Sequence, residues 1–202
     1  MTKAQNDVAI LLYCSSILEK KTAILYKKIA EKVQLPSVKS FLLQMVHDSQ
    51  KHSDIFGGIS ESIGKSSSKP EDCEKQLGQV WQLTEDLARE VASKPTMPEK
   101  EIARLVERLV KIERFMGEEY YIFVQAKTFQ LLTKEIRQIY NVNLENVKYI
   151  LEEVIRDEET HQRLLATIKE ILIKRELKRQ RNAPEVKYQS PDSWIKSLPS
   201  TY

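Results

Sequence analysis

Glu158 and His161 stand three residues apart in the segment RDEETHQ. At that spacing two side chains share one face of a helix and can reach a single ion. A carboxylate beside an imidazole is a donor pair that a divalent transition metal accepts. A second histidine sits in a stretch that aligns to the first without gaps: Met45–His52 (MVHDSQKH) against Val154–His161 (VIRDEETH). Asp48 then matches Asp157, His52 matches His161, and Ser49 falls where the other copy has Glu158. Upstream of each, an apolar residue and a glutamate precede a tyrosine seven positions after that glutamate: Leu18-Glu19 with Tyr26, and Ile112-Glu113 with Tyr120. Glu19 and His52 are 33 residues apart and Glu113 and His161 are 48 apart. The difference of 15 adds about two helical turns to each arm of the second unit.

Elements that would position these groups are legible from the spacing of apolar residues, which recur at steps of three and four almost throughout. Helices are expected over 5–34, then from just after Pro36 to 63, over 71–93, over 99–140 and over 144–181. The segment GKSSSKP (64–70) reads as a linker, KPTMP (94–98) as a break, and 141–143 as a turn with Asn143 as N-cap. The tail, 182–202, holds three prolines and is either loose or docked through Trp194, Ile195 and Leu198. Each long helix carries one inward stripe. The first reads Leu12, Ser16, Glu19, Ala23, Tyr26, Ala30, Val33. The second reads Val38, Phe41, Met45, Asp48 or Ser49, His52, Ile55, Ile59. The third reads Ile102, Val106, Leu109, Glu113, Met116, Tyr120, Phe123, and the fourth Val147, Leu151, Val154, Glu158, His161, Leu165, Ile168, Leu172. The expected fold class is all-α: hairpin 5–64, crossover helix 71–93, hairpin 99–181, with the C-terminal tail beyond. Two hairpins joined by one long crossover give an antiparallel four-helix bundle of ferritin-like connectivity.

The polar interruptions at the middle of the stripes are Glu19, Asp48/His52, Glu113 and Glu158/His161. An ionised carboxylate buried alone is costly by several kcal/mol, so four such helices imply mutual compensation. A divalent cation supplies it most simply. Composition narrows the chemistry further. With 3 His and 2 Cys, neither a four-cysteine zinc or iron–sulfur site nor a His-rich centre can be built within one chain. Neither cysteine reads as part of a disulfide framework: Cys14 reads as a buried, inert thiol and Cys73 as a surface residue. Tyr26 and Tyr120 read as packing and hydrogen-bond partners of the glutamates. His47 falls off the stripe, toward solvent. Glu118 projects away from it, and Glu119, at its edge, is an alternative to Glu113.

On these motifs the chain resembles the rubrerythrin-like branch of the ferritin-like superfamily over roughly 5–65 and 99–175. The pattern there is Glu, Glu-x-x-His, Glu, Glu-x-x-His on four successive bundle helices. The resemblance implies Glu19 and Glu113 as terminal carboxylate ligands, His52 and His161 as one imidazole per metal, and Glu158 as a bridging carboxylate. It implies two Fe or Mn ions, or one, and oxidoreductase or peroxidase-type chemistry on O2 or peroxide. The second bridging glutamate of that pattern is Ser49 here, and the four cysteines of a rubredoxin module are absent, so electrons would come from an external donor. A contrasting expectation is a non-enzymatic helical scaffold or oligomerisation protein whose metal site has decayed.

Bulk properties fit either reading. The formal net charge is +3. Six basic and two acidic residues fall between Lys169 and Asn182, as at a helix end whose cations complement the dipole; nucleic acid is not the expected partner. The longest apolar run, Val8–Cys14, is seven residues, so no membrane span is expected. A cytoplasmic homo-oligomer, a dimer, completes the sequence-based expectation, with the crossover helix either packed on the bundle or mediating the dimer.

Overall fold

A computed structural model describes residues 3–64, 69–125 and 144–182, with side chains over 6–64, 69–118 and 149–182. Those residues form six helices: α1 (Lys3–Lys32), α2 (Pro36–Ile63), α3 (Pro70–Leu77), α4 (Gln79–Ser93), α5 (Glu99–Gln125) and α6 (Leu144–Arg181). No strand occurs among them. The expected continuation of the fifth element to residue 140, the turn at 141–143 and the tail after Asn182 lie outside the described residues.

Local chemistry sets the boundaries. Pro36 opens α2, where its missing N–H costs nothing, and Leu35 before it is extended. Only residues 33–35 separate α1 from α2, so the two run antiparallel. Helices α5 and α6 also run antiparallel: Glu113 faces His161, Glu107 faces Lys169, and Glu99 faces Arg179. Between α2 and α6 the same sense holds, with Asp48 against His161 and Lys51 against Asp157.

The crossover departs from a single helix over 71–93. It breaks at Gly78, whose φ of 53° is left-handed and suits a residue without Cβ. Helix α3 is capped at its start by the Asp72 carboxylate, which accepts the Lys69 N–H at 3.0 Å. Helix α4 buries Val80, Trp81, Leu87 and Val91 and lies on α1 and α5. Lys21 of α1 pairs with Glu85 and lies 4.8 Å over the Trp81 ring, while Lys32 donates to the carbonyls of Val91 and Lys94.

The cysteine reading is corrected. Cys14 of α1 and Cys73 of α3 form a disulfide, with Cα atoms 5.1 Å apart and both residues fully buried. Cys73 points inward because α3 buries one short edge, Cys73 and Leu77, against α1. Disulfides persist in oxidising compartments and are rare in the cytosol, so this link weighs against a cytoplasmic location. Among the described residues no helix is long and apolar enough to cross a membrane.

Three of the four stripes are buried as read wherever side chains are described. They comprise Leu12 to Ala30 of α1 (with Ser16 half-buried) and Val33 just beyond it, Ile102 to Met116 of α5, and Leu151 to Leu172 of α6. On α2 the inward residues are instead Val38, Leu42, Met45, Ser49, His52, Phe56 and Ser60. The buried position is one residue later than Phe41, Ile55 and Ile59 in each case, while Met45 and His52 fall where expected. Small residues permit close approach there. Ser16 meets Ser53 at 3.4 Å, Ser60 donates to the Ala9 carbonyl at 2.7 Å, and a Cβ on Gly57 would sit 3.3 Å from Ser16 Oγ. At the other end of the molecule, the basic end of α6 is exposed, and Arg175 and Arg179 both reach Glu99, at 3.4 and 3.1 Å.

Candidate metal centre

Each long helix delivers its charged residues to one buried cluster. Glu19 (α1), His52 (α2), Glu113 (α5), and Glu158 and His161 (α6) are all fully buried. They form two overlapping groups, Glu19–His52–Glu158 and Glu113–Glu158–His161. Within each, one donor atom per residue lies within 4.8 Å of the others. Glu158 belongs to both. Its Oε1 is 2.9 Å from His52 Nδ1 and its Oε2 is 3.7 Å from His161 Nδ1. His52 Nδ1 is also 3.5 Å from Glu19 Oε1, and His161 Nδ1 is 2.9 Å from Glu113 Oε2. All five sequence-derived ligand candidates thus come together, with the two imidazoles 5.9 Å apart, centre to centre.

Behind the imidazoles lies a second layer that periodicity alone does not reveal. His52 Nε2 is 3.1 Å from Asp157 Oδ2, and His161 Nε2 is 3.3 Å from Asp48 Oδ2. The arrangement is reciprocal: the aspartate four residues before each histidine orients the histidine of the other hairpin. Lys51 joins the two aspartates, 2.6 Å from Asp157 and 3.7 Å from Asp48. A carboxylate on the outer nitrogen turns the inner nitrogen toward the cluster and raises its basicity, as around metal-bound histidines generally. The signal was the gapless alignment of Asp48 with Asp157, which points to equivalent roles without saying what they are. The position left open on α2 is settled: Ser49 faces inward, fully buried, and Asp48 is half-buried on the far side of His161.

Tyr26, fully buried, donates its hydroxyl to Glu113 on the other hairpin, not to Glu19 on its own helix. Burial, and then the Glu113 carboxylate, hold its phenol well above its ordinary range. His47 is exposed, and so is Glu118, which Arg114 contacts at 2.7 Å. The side chains of Glu119 and Tyr120 lie outside the described set.

The electrostatics are those of groups brought together without water. Burial, then the neighbouring Glu158 carboxylate, push Glu113 up to about 8. Burial alone would lower His52, but the carboxylates of Glu158 and Glu19 outweigh it and raise the imidazole to about 10. His161 is raised likewise against its burial, by Asp48, Glu113 and Glu158. Asp48 is held low chiefly by its bond to His161; Asp157 is held low by Lys51 and His52 against its partial burial.

A divalent cation suits this donor set. Both oxygens of Glu158 are buried and accept no directed hydrogen bond, and His52 Nδ1, though 2.9 Å from one of them, is out of line to donate. Three carboxylates and two imidazole nitrogens match the preferences of borderline first-row metals. Apolar residues one turn along the same stripes, Met45, Met116, Val154 and Leu165, seal the cluster from solvent. Comparison with protein-family models, curated proteins and solved structures finds no match to this chain.

Proposed function

We propose that the buried cluster is a carboxylate-bridged metal centre of ferritin-like type, holding two Fe or Mn ions. Glu19 and His52 would serve one ion, Glu113 and His161 the other, and Glu158 both. Iron or manganese bound there supplies redox equivalents to O2 or peroxide, drawing on an external electron donor. The chain's own residues have separable tasks. Asp157 and Asp48, tied by Lys51, fix the imidazoles with Nδ1 inward. Tyr26 steadies one Glu113 oxygen, and the apolar residues above and below exclude water.

The observation that carries this reading is Glu158: a buried carboxylate placed between two inward imidazole nitrogens, with no directed donor for either oxygen. Elemental analysis after loading with Fe(II) or Mn(II) tests it, with an anomalous X-ray signal to locate the ions. Bound metal that Glu158→Ala abolishes is the expected result. A stoichiometry near zero in both proteins overturns the reading.

Ser49 favours a second reading, in which the cluster is a proton-compensated ionic core of a scaffold. Two imidazolium groups raised in affinity for protons, with a proton held on Glu113, can balance the three carboxylates. Then Glu19→Ala or His161→Ala would change melting temperature and nothing else. A metal-dependent rise in melting temperature that Glu113→Ala removes rules it out.

A further inference from the structure

Ser49 occupies, on α2, the place that Glu158 occupies on α6: three residues before the histidine, inward and fully buried. The reciprocal pairs His52–Asp157 and His161–Asp48 show that the two helices are related about the cluster by an approximate two-fold. By that relation a carboxylate on residue 49 would lie between the two imidazoles as Glu158 does. Ser49 stops short, lacking the three terminal heavy atoms of a glutamate, which is the size of a formate ion. Its Oγ accepts and donates no hydrogen bond.

A second unpartnered hydroxyl accompanies it. Thr22 is fully buried on α1, between Glu19 and Tyr26 on the same face, and its Oγ1 is also without a partner. The α1–α2 register places Glu19 opposite His52, at 3.5 Å. Three residues up α1 and three down α2, that register sets Thr22 opposite Ser49. Two buried hydroxyl donors without acceptors are costly unless something accepts from them. The inner carboxylates are lopsided in the same place. Glu19, Glu113 and Glu158 face the cluster, and the position on α2 equivalent to Glu158 offers only the Ser49 hydroxyl.

We infer that Thr22 and Ser49 form the donor wall of a niche for a small monocarboxylate of formate size, which replaces the absent glutamate. Its oxygens accept from the two hydroxyls and present the remaining lone pairs to the cluster. The inference rests on the metal reading above and gives the site an exchangeable acidic ligand, bound opposite Glu158.

Calorimetric titration of Mn(II) into the full chain, in chloride buffer with and without formate, tests it. Binding of metal and anion at one site is reciprocal, and formate is expected to tighten Mn(II) binding about tenfold. Ser49→Glu should bind Mn(II) tightly without formate and ignore its addition. Ser49→Ala and Thr22→Val, each checked for helicity, should still bind Mn(II) but lose most of the formate effect. Formate that leaves wild-type affinity unchanged, or that acts equally on Ser49→Glu, overturns the niche while leaving metal binding intact. Absence of Mn(II) binding in wild type and in Ser49→Glu overturns the metal reading and the niche with it.

Discussion

The two long hairpins deliver matching outer layers and unequal inner ones. In each, an aspartate reaches across to the other's histidine, and each histidine turns Nδ1 inward. Inside that layer the α5–α6 hairpin contributes Glu113 and Glu158, whereas α1–α2 contributes Glu19 and the short Ser49. Glu158 therefore serves both halves, and α2 has no counterpart to return the service. The aspartates that orient the imidazoles are thus a separate layer from the carboxylates that face the cluster, and the inner set can change while the outer keeps its two-fold form. The hairpins also meet through Tyr26, which crosses from the first to donate to Glu113 of the second.

Experiments can break this comparison in order of effect. Glu158→Ala should lower metal affinity more than a hundredfold and empty both halves together, since it removes the shared ligand and leaves two imidazoles facing each other. Retention of one ion, read by metal analysis, would show that the halves do not share it. Asp157→Asn and Asp48→Asn should each cost about 10–100-fold in affinity, and in crossed fashion. Asp157→Asn should weaken the His52 half and Asp48→Asn the His161 half. NMR of the two imidazoles distinguishes them, and an effect within the same hairpin would sink the reciprocal layer.

Acidity sharpens the contrast between the metal-free and loaded cluster. Glu113 and His52 bind protons more tightly folded than unfolded, so their contributions are full at low pH. They are lost as pH rises, for Glu113 from its ordinary value up to about 8 and for His52 up to about 10. Asp48 and Asp157 are shifted the other way, and their contribution disappears only in strong acid. The melting temperature of metal-free protein should therefore fall from about pH 5 to about pH 9, while the increment from Mn(II) grows as protons leave the ligands. A metal-free melting temperature that climbs over that range contradicts the proton-held cluster. Tyr26→Phe has the smallest expected effect: a few-fold weaker binding confined to the Glu113 half, because the hydroxyl supports a ligand whose charge the metal would itself offset, and the lost hydrogen bond is then worth about 1 kcal/mol. An equal loss at the Glu19 half would show that the tyrosine acts on both.

Much of this was legible in the chain itself, and the exceptions share a cause. Stripe periodicity located Glu19, His52, Glu113, Glu158 and His161, because a helix fixes which of its own residues share a face. It could not say which residues of different helices meet. Cys14 and Cys73, on helices that cross only in three dimensions, carry no spacing signal. The pairing of Tyr26 with Glu113 over Glu19 is of the same kind. Asp157 was visible as a repeat position and mute as to role, since its partner lies on α2. On α2 itself the template is off by one residue on both sides of the cluster, and beyond His52 small Ser and Gly side chains bring α1 and α2 closer than a leucine seam would.

The Cys14–Cys73 link spans 59 residues of chain. Glu19, Ser49 and His52 all lie inside that covalent ring, and Glu113, Glu158 and His161 all lie outside it. Pulled from its two ends, the molecule would pay out the second hairpin as thread and keep the first as a knot. About 200 Å of contour would stay hidden under load, and with it the half of the cluster that lacks its own bridging acid.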